Sequence, residues 1–202
     1  MKSIAILAAA CLSTGAMAQT YMGVAGGLGN TEQDCTGSLT CKSNGSAMRV
    51  YGGMMLKRDV GLELGHTSFG KATTTWDYTY VDPYTGGSAT VDKMEAKTDA
   101  TYVALALQGP IGKERTSLAV MRLGLASVKT AFTSWGTVSY TVTSPYTTKD
   151  SYTKIKPYFG LGVAMPLASN VFLTVDGDFT QGYDGYESYS VRAFTLGLRA
   201  YF

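Results

Sequence analysis

The chain is 202 residues long, carries 17 Lys and Arg against 15 Asp and Glu, and is 45% hydrophobic but only 16% charged. That is one domain's length, apolar enough to bury a core and so not a disordered tail. A formal net charge of +2 excludes the concentrated basic stripe a nucleic-acid binder needs, and a near-neutral mean hydropathy leaves little room for a helical membrane bundle.

The N-terminus reads as an export signal. Lys2 supplies the positive start, Ile4 to Leu12 an apolar stretch too short to span a bilayer, and Ala16-Met17-Ala18 the small-x-small pattern of a cleavage site. The expected division is a signal peptide at 1–18 and a mature domain at 19–202, with 16 basic and 15 acidic residues in the exported part. Ala8-Ala9-Ala10-Cys11 makes a poor lipoprotein site, because the apolar run before Cys11 is very short and the usual leucine is missing. Cys11 then leaves with the signal. Cys35 and Cys41 remain, close together in a polar segment, and in an oxidising compartment they are expected to pair as a local loop clip.

From Tyr21 to Leu28 and beyond, the body alternates with period two. Met48, Val50, Met54 and Leu56 share one face of a segment whose other face holds Arg49 and Tyr51. After Lys57-Arg58-Asp59 the pattern resumes with Val60, Leu62 and Leu64 against Gly61, Glu63, Gly65 and Thr67. Pairing Leu56 with Val60 aligns the apolar faces and sets Met54 opposite Leu62, Gly53 opposite Glu63 and Arg49 opposite Thr67. A middle hairpin runs from Thr101 to Leu107, turns through Gly109-Pro110-Ile111-Gly112, and returns from Ala119 to Leu125. A later one runs from Pro157 to Met165 and from Val171 to Phe179, with Met165 expected opposite Val171. Its second face gathers Tyr158, Gly160 and Gly162 with Asp176 and Asp178, so small and ionisable residues share a side. The uncharged run 157–175 is as long as a membrane helix of about 20 residues, but Pro166 and the two glycines favour a hairpin. With Val191 to Phe202 the count is eight strands.

Connections alternate in length. Those at 57–59, 109–115 and 166–170 are short, whereas 30–44, 70–96, 129–154 and 181–190 are long and rich in Thr, Tyr and Gly. The expected fold is all-β: an eight-stranded antiparallel up-and-down transmembrane β-barrel with short periplasmic turns, long extracellular loops and both chain ends on the short-turn side.

The runs Val60-Gly61-Leu62-Glu63-Leu64-Gly65-His66-Thr67, Lys156-Pro157-Tyr158-Phe159-Gly160-Leu161-Gly162-Val163 and Leu196-Gly197-Leu198-Arg199-Ala200-Tyr201-Phe202 resemble the eight-stranded outer-membrane barrels that include the membrane domain of outer membrane protein A. That resemblance implies a place in the outer membrane among lipid and lipopolysaccharide. It also implies that the barrel-assembly machinery reads the terminal Phe202 with Leu198, Leu196 and Phe194, although Ala200 is smaller than the aromatic often found there. The chain stops at Phe202, so the wall-binding domain some relatives carry is not expected.

Arg49, Glu63, Arg122 and Asp176, joined by Lys156 and Asp178, fall on the face opposite the apolar rows and therefore inside the barrel. Because eight strands enclose a lumen just wide enough for side chains, they are read as an ionic plug rather than the lining of a pore, with Arg122 the better mate for Glu63. His66 and Ser68 share a lipid-facing row, similar to the His-x-Ser dyad of lipid A deacylases, but the surrounding residues differ and no carboxylate is placed to orient the imidazole. Asp176, Asp178, Thr180 and Glu187 match part of a calcium-loop template, which fails at Gln181 where glycine is required. Gly23 to Gly29 is followed by no helix to bind a phosphate. The loop aromatics, Trp76, Trp135, Tyr146, Tyr152, Tyr183 and Tyr186 among them, read as an interfacial girdle near strand ends and as ligand contacts at loop tips. The reading is a monomeric, non-enzymatic outer-membrane barrel with no cofactor or metal, acting in envelope integrity and in surface contacts through its long loops with a host or cell-surface ligand. The alternatives are a lipid A-modifying enzyme, a small pore, and a soluble periplasmic barrel resembling a lipocalin.

Overall fold

The computed structural model describes residues 19–32, 38–81, 88–112, 116–139 and 143–202. Their strands in chain order are β1 (Thr20–Thr31), β2 (Thr40–Lys42), β3 (Asn44–Met55), β4 (Val60–Val81), β5 (Ser88–Ile111), β6 (Ser117–Ser139), β7 (Thr143–Pro166), β8 (Val171–Tyr183) and β9 (Ser188–Tyr201). All but β2 pair antiparallel into a ring that β1–β9 and β4–β5 close, so eight strands make the barrel. Closure removes the free edges that lipid does not tolerate.

Alternation decides which side chains face out. Val24, Val50, Leu62, Leu64, Val103, Leu105, Leu123, Leu125, Leu161, Val175, Leu196 and Leu198 are each 41–57% exposed and form an apolar belt around the wall. Their neighbours one residue along, including Arg49, Glu63, Arg122, Asp176 and Arg199, are buried inside. Apolar outside and ionic inside is the reverse of a water-soluble barrel and matches a lipid surround.

The first hairpin has the expected register, with Met54 opposite Leu62, Gly53 opposite Glu63 and Arg49 opposite Thr67. The last does not. Met165 lies opposite Leu173, two residues beyond Val171, because Leu167 and Ala168 both donate to the Val171 carbonyl and extend the turn. A two-residue slip keeps every side chain on its face, which is why the hydrophobic pattern does not reveal it.

Three of the four long loops are largely strand. Segments 70–96 and 129–154 continue the β4–β5 and β6–β7 ladders as far as Val81 opposite Ser88 and Ser139 opposite Thr143. The 181–190 connection pairs up to Tyr183 opposite Ser188, and even 30–44 contributes β2, laid against Thr73 to Thr75 of β4. The inward row of these Thr-rich runs is made of small and hydroxyl side chains such as Ala72, Thr74, Ala96 and Thr130, so their strand character shows in ladder pairing rather than in hydrophobic alternation. The strands consequently fall into two lengths: 12 to 14 residues for β1, β3, β8 and β9, and 22 to 24 for β4 to β7. The surplus projects half of the barrel past the other half by about 30 Å at a strand rise of about 3.3 Å per residue. Between Ser68 and Lys71 a bulge with Gly70 at φ 85° shifts β4 by one residue, so that Ala72 and Thr74 take over the inward row from Thr67 and Phe69. The start of β1 and the residue after β9 meet where Phe202 N–H donates to Thr20 O at 2.9 Å, on the rim with the short turns.

Candidate functional site

The lumen is filled by three guanidinium groups and three carboxylates. Arg122 Nε donates to Glu63 Oε1 and its Nη1 to Asp176 Oδ1, both at 2.8 Å. Arg49 lies 3.4 Å from Glu63, 3.5 Å from Asp176 and 3.2 Å from Asp178. Arg199 Nη2 stands 4.0 Å from Glu63 Oε2 and its Nε donates to Tyr51 Oη at 3.2 Å. Every one of these side chains is 0–1% exposed. Opposite formal charges balance within the set, which is the condition under which ionised groups persist away from water.

Tyrosines add hydrogen bonds to two of the carboxylates, Glu63 and Asp178. Tyr21 and Tyr102 donate to Glu63 at 3.0 and 2.8 Å, and Tyr158 donates to Asp178 at 2.5 Å. Tyr201 donates to Gln108 Oε1 at 2.8 Å. Arg49 lies 4.0 Å from the centre of the Tyr51 ring, and the Tyr102 and Tyr158 rings stack at 4.0 Å. The cluster is thus an ionic lattice packed with aromatic faces.

Several of these bonds cross an intervening strand, and the residue underneath is small each time. Tyr21 reaches Glu63 over Gly53, which is paired to both. Arg199 reaches Tyr51 over Gly23, again paired to both. Glu63 and Arg122 meet above Ala104 and Ala106 of β5, and Arg122 and Asp176 above Gly160 and Gly162 of β7. A Cβ at Gly53 or Gly23 would overlap the Tyr21 or Tyr51 ring, and one at Gly162 would overlap Asp176. The glycines are therefore spacers for the network.

Arg49, Glu63, Arg122 and Asp176 are brought together, and Asp178 joins them. Lys156 does not. It donates to Ser188 Oγ at 2.6 Å near the far rim, because β7 has already passed the level of the ionic layer there. Arg199 and the five tyrosines were not among the sequence candidates. Their signal is parity: Arg199 and Tyr201 alternate with Leu196, Leu198 and Ala200, as Tyr21 does with Met22 and Val24.

Cavities open at both rims, with the network between them. One of about 290 Å³ at the short-turn rim is lined by Arg58, Gln108, Phe172 and Tyr201. The other, about 460 Å³, is lined by Glu32, Phe132, Asp150, Tyr152, Asp184 and Glu187. Tyr152, Tyr183 and Tyr189 take part in the inner packing there rather than in a girdle. Tyr152 makes edge contacts with Phe132 and Tyr183, and Tyr189 Oη lies 3.3 and 3.1 Å from Thr98 and Thr130.

His66 and Ser68 both sit on the outward row of β4. His66 Nδ1 is 3.0 Å from Thr101 Oγ1, and Ser68 pairs with Asp99, whose carboxylate lies 3.0 Å from Lys97. The imidazole is thus engaged by a threonine, and the carboxylate beside Ser68 by a lysine. Asp176 and Asp178 are consumed by arginines, and among the described residues no group of three or more His, Cys, Asp and Glu is arranged to hold a metal ion. Cys35 lies outside the described residues, as does 1–18. Phe194, Leu196, Leu198 and Phe202 form an outward row, 46–72% exposed, at the closing strand.

Residues 4–202 match the family model described as the outer membrane protein beta-barrel domain. The chain belongs to this family. It is an outer-membrane β-barrel, and the long-hairpin rim is accordingly its extracellular end. Among solved barrels it is similar to the attachment invasion locus protein Ail of Yersinia pestis, with 12% identity, a TM-score of 0.52, and 92% of this chain and 99% of that one covered. Neisserial surface protein A matches equally well, at 12% identity and a TM-score of 0.52 over 91% of this chain and 97% of that one. A search of curated protein sequences finds no match. These likenesses concern the fold of the barrel, and the ionic lattice is described from this chain's own residues.

Proposed function

We propose that this barrel is a non-enzymatic, sealed wall element whose work is done by its extracellular projection, which contacts ligands at the cell surface, while the closed lumen supports envelope integrity. The observation that carries the reading is the division of the molecule. Its membrane half encloses a neutral, buried ionic lattice, and its outer half is a long polar sheet that the belt does not need for membrane crossing. The non-enzymatic part is in keeping with His66, which is turned to Thr101 rather than to a nucleophile. A surface role is in keeping with Ail, which has been solved in complex with the heparin analogue sucrose octasulfate. The signal peptide at 1–18 and the Cys35 to Cys41 clip belong to the same reading, as does assembly through Phe202.

The test is a variant in which the β4–β5 and β6–β7 projections are replaced by tight turns above the belt. Cells making it are compared with the wild type for adhesion to immobilised glycans and proteins and for sensitivity to bile salts. The reading expects adhesion to fall while the barrel still assembles and bile-salt resistance is kept. Unchanged adhesion contradicts the surface role, and lipid A altered by overproduction of the wild type contradicts the non-enzymatic one.

A further inference from the structure

The cavity at the extracellular rim is walled by rings. Phe132 on β6, Tyr152 on β7 and Tyr189 on β9 line it from three strands, and Tyr186 lines it from the β8–β9 turn. Tyr152 meets Phe132 edge-on at 6.2 Å and Tyr183 at 6.1 Å, and the Tyr189 hydroxyl stands within hydrogen-bond distance of Thr98 and Thr130. These rings are therefore held in place before anything binds. At about 460 Å³ the space falls within the range of about 300–1,000 Å³ that small-molecule sites occupy.

Four carboxylates share the same lining: Glu32 just past β1, Asp150 on β7, and Asp184 and Glu187 in the β8–β9 turn. Among the described residues none of the four forms an ion pair. The ion pairs of the projection lie on its outer face instead, where Lys71 and Lys93 meet Glu95 and Lys97 meets Asp99. Two ammonium groups follow Asp150 and Tyr152 along the inward row of β7, and both are spent on other partners. Lys154 Nζ lies 3.4 Å from the centre of the Tyr183 ring, and Lys156 donates to Ser188 Oγ at 2.6 Å. Even counting these two lysines, the inner side of the rim stays negative. Lys154 also displays an ammonium seated on a ring that itself packs against Tyr152. The carboxylates surround the cavity without converging, since no three of them are arranged to hold a metal ion, so the space between them suits a bulky cation and not a bare one.

We infer that this cavity binds a small organic cation, an ammonium group on a short carbon chain, with its charge among the carboxylates and its methyl or methylene groups against the rings. This rests on the surface role proposed above and names a ligand class for it. An aromatic face carries the negative part of the ring quadrupole and attracts an ammonium, most of all where water is partly excluded. Carboxylates around the mouth of a cleft raise the local concentration of cations and turn anions away.

The experiment uses the mature barrel in octyl glucoside micelles, which carry neither charge nor amine, and titrates it with choline and with butylamine in a calorimeter. Saturable binding is expected. The alcohol 3,3-dimethylbutan-1-ol, which has choline's shape without its charge, should bind about tenfold more weakly or worse, and butyrate should not bind. Binding of choline alone assigns the site to quaternary head groups and of butylamine alone to primary amines such as a lysine side chain; either supports it. Asp150→Asn combined with Glu187→Gln should weaken binding about tenfold or more, as should Tyr152→Leu, while Glu95→Gln on the outer face leaves it unchanged. Should Tyr152→Leu not assemble, the double variant decides, because both of its carboxylates are exposed and lie outside the belt. Equal binding of choline and the alcohol, wild-type affinity in the double variant, or an equal loss in Glu95→Gln overturns the inference. If neither cation binds but shortening the hairpins abolishes adhesion, the cation site falls and the surface role stands; if neither effect is seen, both fall.

Discussion

Tyr21 on β1 donates to Glu63 on β4 at 3.0 Å, spanning the strand between them above Gly53. Glu63 also receives Tyr102 and Arg122 and lies within ion-pair distance of Arg49 and Arg199. One carboxylate thereby ties together strands from both sides of the barrel's closure, and the stability of the wall is expected to depend on it.

Glu63→Ala removes the acceptor for these groups and leaves buried guanidinium charge uncompensated. Losing one partner of a buried pair costs about 3–5 kcal/mol. Urea unfolding followed by tryptophan fluorescence should show a clearly lower midpoint, with Glu63→Gln intermediate because it keeps an acceptor oxygen.

Gly53→Ala tests the spacer rule without touching a charge. The added methyl overlaps the Tyr21 ring and stands 2.8 Å from the Leu62 carbonyl, so the ring must move off Glu63. Overpacking of this kind costs about 1–3 kcal/mol. Pairing it with Tyr21→Leu should recover part of that loss, and a fully additive double variant would speak against the coupling.

Much of this was legible in the residues, for a physical reason. Lipid demands an apolar outer row, so Leu62, Leu64, Leu196 and Leu198 mark the wall and their neighbours Glu63 and Arg199 the interior. The first hairpin's register followed from its apolar faces and a tight turn. What alternation does not carry is any change that preserves parity or lies outside the belt. The two-residue slip at Met165 is of the first kind, and the strands hidden in 70–96 and 129–154 are of the second. The ionic partners needed the third dimension, since Arg122 and Asp176 lie two strands apart. Yet the glycines beneath them, Gly160 and Gly162, already shared a face with the aspartates in sequence, and small residues opposite ionisable ones are a usable sign of a filled lumen.

The Cys35 to Cys41 pairing predicts no free thiol in the mature, non-reduced protein and two after reduction. A Cys41→Ser variant should expose one thiol. Because the ring it closes is short, thermal unfolding of the barrel should barely move, which separates a loop clip from a structural staple.

Phe202 is 72% exposed and makes its bond through the backbone to Thr20. Removing it is expected to lower the amount of barrel assembled in cells while leaving refolding into detergent nearly unaffected. A comparable loss in both assays would make its role one of packing rather than recognition.

The central claim, that the Arg49, Arg122, Arg199, Glu63, Asp176 and Asp178 lattice seals the barrel, is tested most directly by conductance in planar lipid bilayers. The wild type should insert without stepwise current, and Glu63→Ala, which opens the middle of the lattice, should show small, unstable openings. Steady channels from the wild-type protein would contradict the account.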